Sequence, residues 1–160
     1  MTQARRGSSR EEAGFLWLPF DRLTPRQLHD ALQLRQRVFV VEQRCAYLDA
    51  DGLDPLCWHG LGTLADGTLV ATARLVPPGV AYEEPAIGRV VSSPDFRKHG
   101  YGRQLMNEAI REVRRLYPGQ GTRIGAQRYL EKFYGSLGFV PVGEPYLEDD
   151  IPHIHMLREW

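Results

Sequence analysis

Apolar positions along the chain recur with two different periods, and the switches between them lay out the elements. Phe15 to Phe20 is a short aromatic and apolar run that predicts a first strand. Thr24-Pro25 supplies an N-cap followed by proline at the first helical position. Leu28, Ala31, Leu32, Leu34 and Val38 then recur as one helical face. The helix runs into RVFVVEQ, whose β-branched and aromatic residues predict a strand-like end. DADGLDP, rich in Asp, Gly and Pro, is expected to be a loop. His59 to Leu64 and Leu69 to Leu75 are joined by ADGT, a hairpin signal. Ile87 to Val91 reads as a further strand, ended by Ser-Ser-Pro.

Downstream, Leu105, Met106, Ala109, Ile110, Val113 and Leu116 return to helical spacing, and Pro118-Gly119 stops them. A strand near Arg123 to Ala126 and a helix from Tyr129 to Leu137, with Gly138 past its end, come next. Two alternating runs around an acidic turn predict closing strands, whose edge either pairs across a homodimer or stays protected in a monomer. This order of elements predicts a single mixed α/β (α+β) domain over 14–160, preceded by a flexible tail over 1–13.

Charge narrows the function classes. Lys plus Arg and Asp plus Glu number 20 each among 160 residues, so no net positive field draws the chain to nucleic acid or to an anionic membrane. No apolar run approaches the roughly 20 residues of a membrane span, and the polar start lacks the apolar stretch of a secretory leader. A cytoplasmic protein with two reduced thiols, Cys45 and Cys57, is expected. DADGLD has its glycine misplaced for a calcium loop, and no glutamate closes it. His153 and His155 share a strand face but lack a third ligand, so no metal is expected.

One stretch carries chemistry. SSPDFRKHGYGRQLM places two glycines between an apolar strand and an amphipathic helix, behind Arg97, Lys98 and His99. The first turn of a helix has amides without internal partners and carries partial positive charge. Glycines let that backbone approach a ligand, which suits a phosphate. There is no Gly-Lys-Ser/Thr for a nucleotide P-loop, and Leu105 stands where a dinucleotide fingerprint needs its third glycine. The bare segment remains either a phosphate cradle or a basic turn.

VVSSPDFRKHGYGRQLM resembles the acetyl-CoA motif of the GNAT superfamily of N-acetyltransferases, and RYLEKFYGSLGFVPVG resembles the helix and Gly-Phe turn that end that core. LRQRVFVVEQRCAYLDADGLD and GEPYLEDDIPHIHM are similar to its ElaA-like branch. The resemblance covers Phe15 to Met156. It implies the acyl-CoA N-acyltransferase fold, a mostly antiparallel sheet with one splayed strand pair, flanked by helices. It further implies an enzyme that passes the acetyl group of acetyl-CoA directly to a primary amine in a ternary complex. The cofactor-binding residues implied are Val90, Val91 and Ser92 on the strand, then Arg97, Lys98, His99, Gly100, Tyr101, Gly102 and Arg103, mainly through backbone. Gln127 stands where many relatives have a cofactor-contacting asparagine, and Ser92 where most have an apolar residue.

Tyr134 matches the family tyrosine, which implies a general acid toward the departing CoA thiolate. By residue type alone it reads first as an aromatic of the core, like Phe133, and the resemblance reverses that order. The base is open, because Thr122 stands where some relatives have a glutamate. Glu42 is a candidate if its apolar neighbours bury it, or else a helix-end partner of Arg35 or Arg37. His153 is a second candidate, or else a hydrogen-bonded structural histidine. Glu148, Glu83 and Glu84 are further candidates for the base, and together with Asp149 and Asp150 they suggest an acceptor site for a basic amine. A non-catalytic acyl-CoA-binding sensor or interaction module on the same fold is the alternative to an enzyme.

Overall fold

The computed structural model describes residues 11–160. The expected tail therefore falls largely outside the described residues. Its last part is held: the Tyr101 hydroxyl donates to the Glu11 carbonyl at 2.5 Å, and Ala13 packs against the core.

A seven-stranded sheet runs β1-β2-β3-β4-β5-β7-β6. Its strands are β1 (Gly14–Pro19), β2 (Trp58–Thr63), β3 (Leu69–Val76), β4 (Ala86–Ser92), β5 (Thr122–Gln127), β6 (Val140–Glu148) and β7 (Ile151–Arg158). Every neighbouring pair is antiparallel except β4 and β5, which run parallel and share one residue pairing, Ala86 with Arg123. Beyond that rung the two strands diverge, which is the splayed pair expected. Three α-helices flank the sheet: α1 (Pro25–Arg35), α2 (Tyr101–Leu116) and α3 (Glu131–Gly135). Thr24 caps α1 through a reciprocal box with Gln27, satisfying two otherwise orphaned amides. The apolar face of α2, Leu105, Met106, Ala109 and Val113, is fully buried against β3 residues Val70, Ala71 and Leu75 in the main core.

Two expectations are corrected. RVFVVEQ is not strand-like: Gln36–Glu42 continues α1 as a π-helix, with Gln43 N–H donating to Val38 and Cys45 N–H to Val40, five residues back. Leu34 and Val38 stay on one face and pack against Val91 of β4, and that burial overrides the β-propensity of the run. The helix expected over Tyr129 to Leu137 is shorter, a 3-10 turn at Arg128–Leu130 leading into α3. Gly138 does follow it with φ +93°.

Candidate active site

The divergence of β4 and β5 opens a cleft of about 830 Å³. Its walls are the inner edges of the two strands, Ile87 to Ser92 on one side and Ile124, Gly125 and Gln127 on the other. The π-helix contributes Val38, Phe39 and Glu42, and the segment after it Gln43, Cys45 and Tyr47. Tyr129, Leu130, Phe133 and Tyr134 line it from the α3 region, and Glu148, Asp149, Ile151 and His153 from the β6–β7 hairpin.

At the end of β4 the chain enters the glycine loop. Lys98 and Gly100 both take the left-handed backbone, with φ +67° and +77°. Gly100 then caps α2 without any side-chain hydrogen bond, and no acidic residue stands in the first turn. The first-turn amides thus have neither a capping oxygen nor a carboxylate beside them, and the helix dipole is uncompensated. Arg97, Lys98 and Arg103 add positive charge around that terminus. Gly102 leaves it open, since a β-carbon there would meet nothing outside its own helix nearer than Ser92 Oγ at 4.0 Å. Such a site accepts a phosphate group. His99 alone of the expected segment is not in the cleft wall; its ring stacks on Tyr101 and meets Phe96 edge-on.

Arg97 ion-pairs with Glu42 across the cleft mouth. Glu42 is therefore half-exposed rather than buried, and its partner is neither Arg35 nor Arg37. Arg37 instead makes a two-point bond to Asp95 at 2.8 Å. Arg103 donates to Ser136 Oγ at 3.1 Å and lies over the Phe133 ring, tying α2 to α3.

Tyr134 is both a core aromatic and a residue of the cleft wall. It is 7% exposed within the core, with Phe133 and Phe139 edge-on to its ring, and it also lines the cleft. Burial, with a smaller contribution from Tyr129, pushes its phenol up to about 12, so it keeps its proton at neutral pH. Gln127 reaches Gln43 with an amide–amide bond of 3.4 Å, bridging β5 to the end of the π-helix. His153, opposite Gln127 in the β5–β7 register, is buried, and its Nδ1 contacts the Ile151 carbonyl at 2.7 Å. A carbonyl only accepts, so Nδ1 donates this bond and Nε2 is left for another partner. Glu148 Oε2 lies 3.4 Å from that Nε2. Tyr146 stacks on both His153 and His155, which places the two histidines on one face as their spacing implied. Thr122, at the other end of β5 opposite Arg158, is not in the cleft wall. Of the acidic loops, Glu148 and Asp149 line the cleft, whereas Glu84 is bound to Arg123.

DADGLDP is more than a loop. Arg35 donates to Asp49 at 2.7 Å and to Asp54 at 2.9 Å, and Arg74 donates to Asp51 at 2.6 Å and to Asp54 at 2.8 Å. Arg89 pairs with Asp49 at 2.9 Å, and Tyr47 donates to the same carboxylate. Burial pushes the Asp51 and Asp54 carboxyls up, but the hydrogen-bonded guanidiniums outweigh it, holding Asp51 at about 2 and Asp54 below its ordinary value. The sequence offered a signal for this network: Arg35 and Arg74 interrupt otherwise apolar faces, and an arginine at a core position needs a buried partner.

A family model described as an acetyltransferase (GNAT) domain matches residues 64–159. Protein ElaA of Escherichia coli is 45% identical over 140 residues, 86% of this chain and 90% of that protein. The crystal structure of an acyl-CoA N-acyltransferase from Pseudomonas aeruginosa is similar with a TM-score of 0.87 at 43% identity, covering 92% of this chain and 99% of that one. The crystal structure of Escherichia coli ElaA gives 0.85 at 42% identity, covering 92% and 99%. Among the described residues no group of three or more metal-ligating side chains occurs, and no helix is long and apolar enough to cross a membrane.

Proposed function

The chain belongs to the GNAT acetyltransferase family, in its ElaA-like branch, and we propose that it transfers the acetyl group of acetyl-CoA to a primary amine by direct attack in a ternary complex. The carrying observation is one continuous cleft with an uncapped, acid-free helix N-terminus at one end and a neutral phenol in its wall.

The pyrophosphate of the co-substrate sits on the amides from Gly100 to Arg103, with Arg97 and Lys98 beside it. Its pantetheine arm follows β4 along Val90 to Ser92, where β5 has left the backbone edge free. The amine enters beside the β6–β7 hairpin, between Gln43, Glu148 and His153. It arrives protonated, with a pKa of about 10 in water, and must lose that proton before its nitrogen attacks the thioester carbonyl carbon. His153 Nε2 takes the proton, and the Glu148 carboxylate stabilises the imidazolium. The Glu42 carboxylate is already engaged by Arg97 at the cleft mouth. As the C–S bond breaks, the electron pair leaves on sulfur, and the Tyr134 phenol donates to that thiolate.

Incubation with acetyl-CoA and a panel of amines, followed by thiol titration of free CoA, tests this reading. Release is expected to depend on amine, to fall in Tyr134→Phe, and to fall more in His153→Gln than in Glu42→Gln. Tight acetyl-CoA binding without amine-dependent release anywhere in the panel would leave a non-catalytic acyl-CoA-binding module instead.

A further inference from the structure

Tyr146 meets the histidine of the cleft wall only because β6 is bulged. The ladder pairs Val142 with His155 and Tyr146 with His153, so Gly143, Glu144 and Pro145 stand opposite Ile154 alone. In unbroken register Glu144 would lie opposite His153. The bulge, turned at Gly143 with φ +74°, puts an aromatic ring there instead. That ring lies at 25° to both histidines, its centroid 5.7 Å from His153 and 4.8 Å from His155. His155 is backed in turn by the Tyr82 ring, edge-on at 5.4 Å. At the far end of the tyrosine, its hydroxyl sits over Gly125 in the cleft wall. A β-carbon on Gly125 would come within 2.9 Å of that hydroxyl, so a side chain there must push the ring back.

We propose that Tyr146 is a positioning residue for His153: seated by the β6 bulge and by the bare backbone of Gly125, its ring fixes the imidazole plane and keeps Nε2 beside Glu148 in the cleft wall. The inference rests on the reading of His153 as the base. The bond from Nδ1 to the Ile151 carbonyl, 2.7 Å long, fixes one point of the imidazole but leaves the ring free to turn about it. A flat ring packed against its face removes that freedom, because aromatic pairs favour a few relative orientations. Orientation matters to rate: misplacing a reacting group by about 1 Å costs on the order of 100-fold.

The test compares three readouts. They are CoA release with spermidine, tyramine and a lysine-containing peptide as probe amines, the acetyl-CoA Kd, and the His153 ring signals in nuclear magnetic resonance of histidine-labelled protein. Tyr146→Ala is expected to lower kcat by about 10-fold or more and to move the His153 signals, with the acetyl-CoA Kd unchanged. Tyr146→Phe keeps the ring and should stay within about 3-fold of wild type. Gly125→Ala should lower kcat by about 3- to 10-fold as its methyl group displaces the hydroxyl, and adding Tyr146→Phe should restore the rate of Tyr146→Phe alone. If Tyr146→Ala does not fold, Gly125→Ala and its rescue decide the matter. A loss in Gly125→Ala that Tyr146→Phe does not restore overturns the proposal. So does an unchanged kcat in Tyr146→Ala, or a parallel loss of acetyl-CoA affinity. If His153→Gln releases CoA like wild type while Tyr146→Ala still moves the ring signals, the base is wrongly assigned and the proposal falls with it. Wild-type protein that releases no CoA with any of the three amines sinks the transfer reading beneath both.

Discussion

The two glycines of the helix-start loop are expected to respond to the same substitution with opposite signs. Gly100 has φ +77°, so alanine there meets the left-handed penalty of about 1–2 kcal/mol. That should lower Tm by roughly 2–8 °C for a chain of this size. Gly102 is within α2 and not in that region, and a β-carbon there finds open space up to 4.0 Å. Gly102→Ala should therefore stabilise the protein by about 0.5 kcal/mol through helix propensity, raising Tm by roughly 1–2 °C. Its methyl group projects where a phosphate must approach the amides. Displacing one charge-assisted hydrogen bond costs about 1.5–3 kcal/mol, which weakens CoA binding by about 10- to 100-fold. Thermal melts without ligand, paired with calorimetric Kd values for CoA, read both effects. A Gly102→Ala protein that binds CoA within about 2-fold of wild type would refute the cradle, because the glycine would then serve only the chain.

Other perturbations reach different parts of the molecule. Tyr134→Phe should lower amine-dependent turnover by about 100-fold or more while changing the acetyl-CoA Kd little, since the phenol acts on the leaving sulfur. Asp54→Ala leaves Arg35 and Arg74 short of a buried partner and should cost about 3–5 kcal/mol in urea unfolding. The Asp51 carboxyl is held at about 2, below its unfolded value, so its contribution is present above about pH 4 and lost as the pH falls toward 2. Discounted for its partial exposure, that loss is about 1–2 kcal/mol between those limits, measurable as a drop in unfolding free energy absent from Asp51→Asn.

Local sequence carried the fold well where burial and pattern agreed. The Thr24 cap, the Asp-Gly hairpin, the α2 face and the closing hairpin stand where their residues placed them. RVFVVEQ failed because its β-branched residues were outweighed by Leu34 and Val38 packing on Val91, a contact more than fifty residues away in sequence. The site divided in the same way. The glycine loop was legible because a helix start is a local object, and Tyr134 because its motif is local too. Glu42 meeting Arg97, His153 facing Glu148, and Arg89 reaching Asp49 are set by how strands and loops meet, which no short window contains. The DADGLD segment is the loop its turn residues announced, but the three distant arginines that hold it, with Asp49 and Asp54 buried, lie outside any short window too.

The single rung between β4 and β5 has a bearing on how this protein lives without its partner molecule. Sheets ordinarily guard their outermost strands, as Pro141 and Pro145 do on β6. Here two backbone edges face each other in the middle of the sheet, four strands on one side and three on the other. Peptide groups along them are left to solvent or to whatever chain-like molecule lies between. Hydrogen exchange should show this as fast amides in the outer halves of β4 and β5 that slow together when acyl-CoA is added. The substrate would then act as a temporary eighth strand, and the enzyme's own architecture would be complete only while it is occupied.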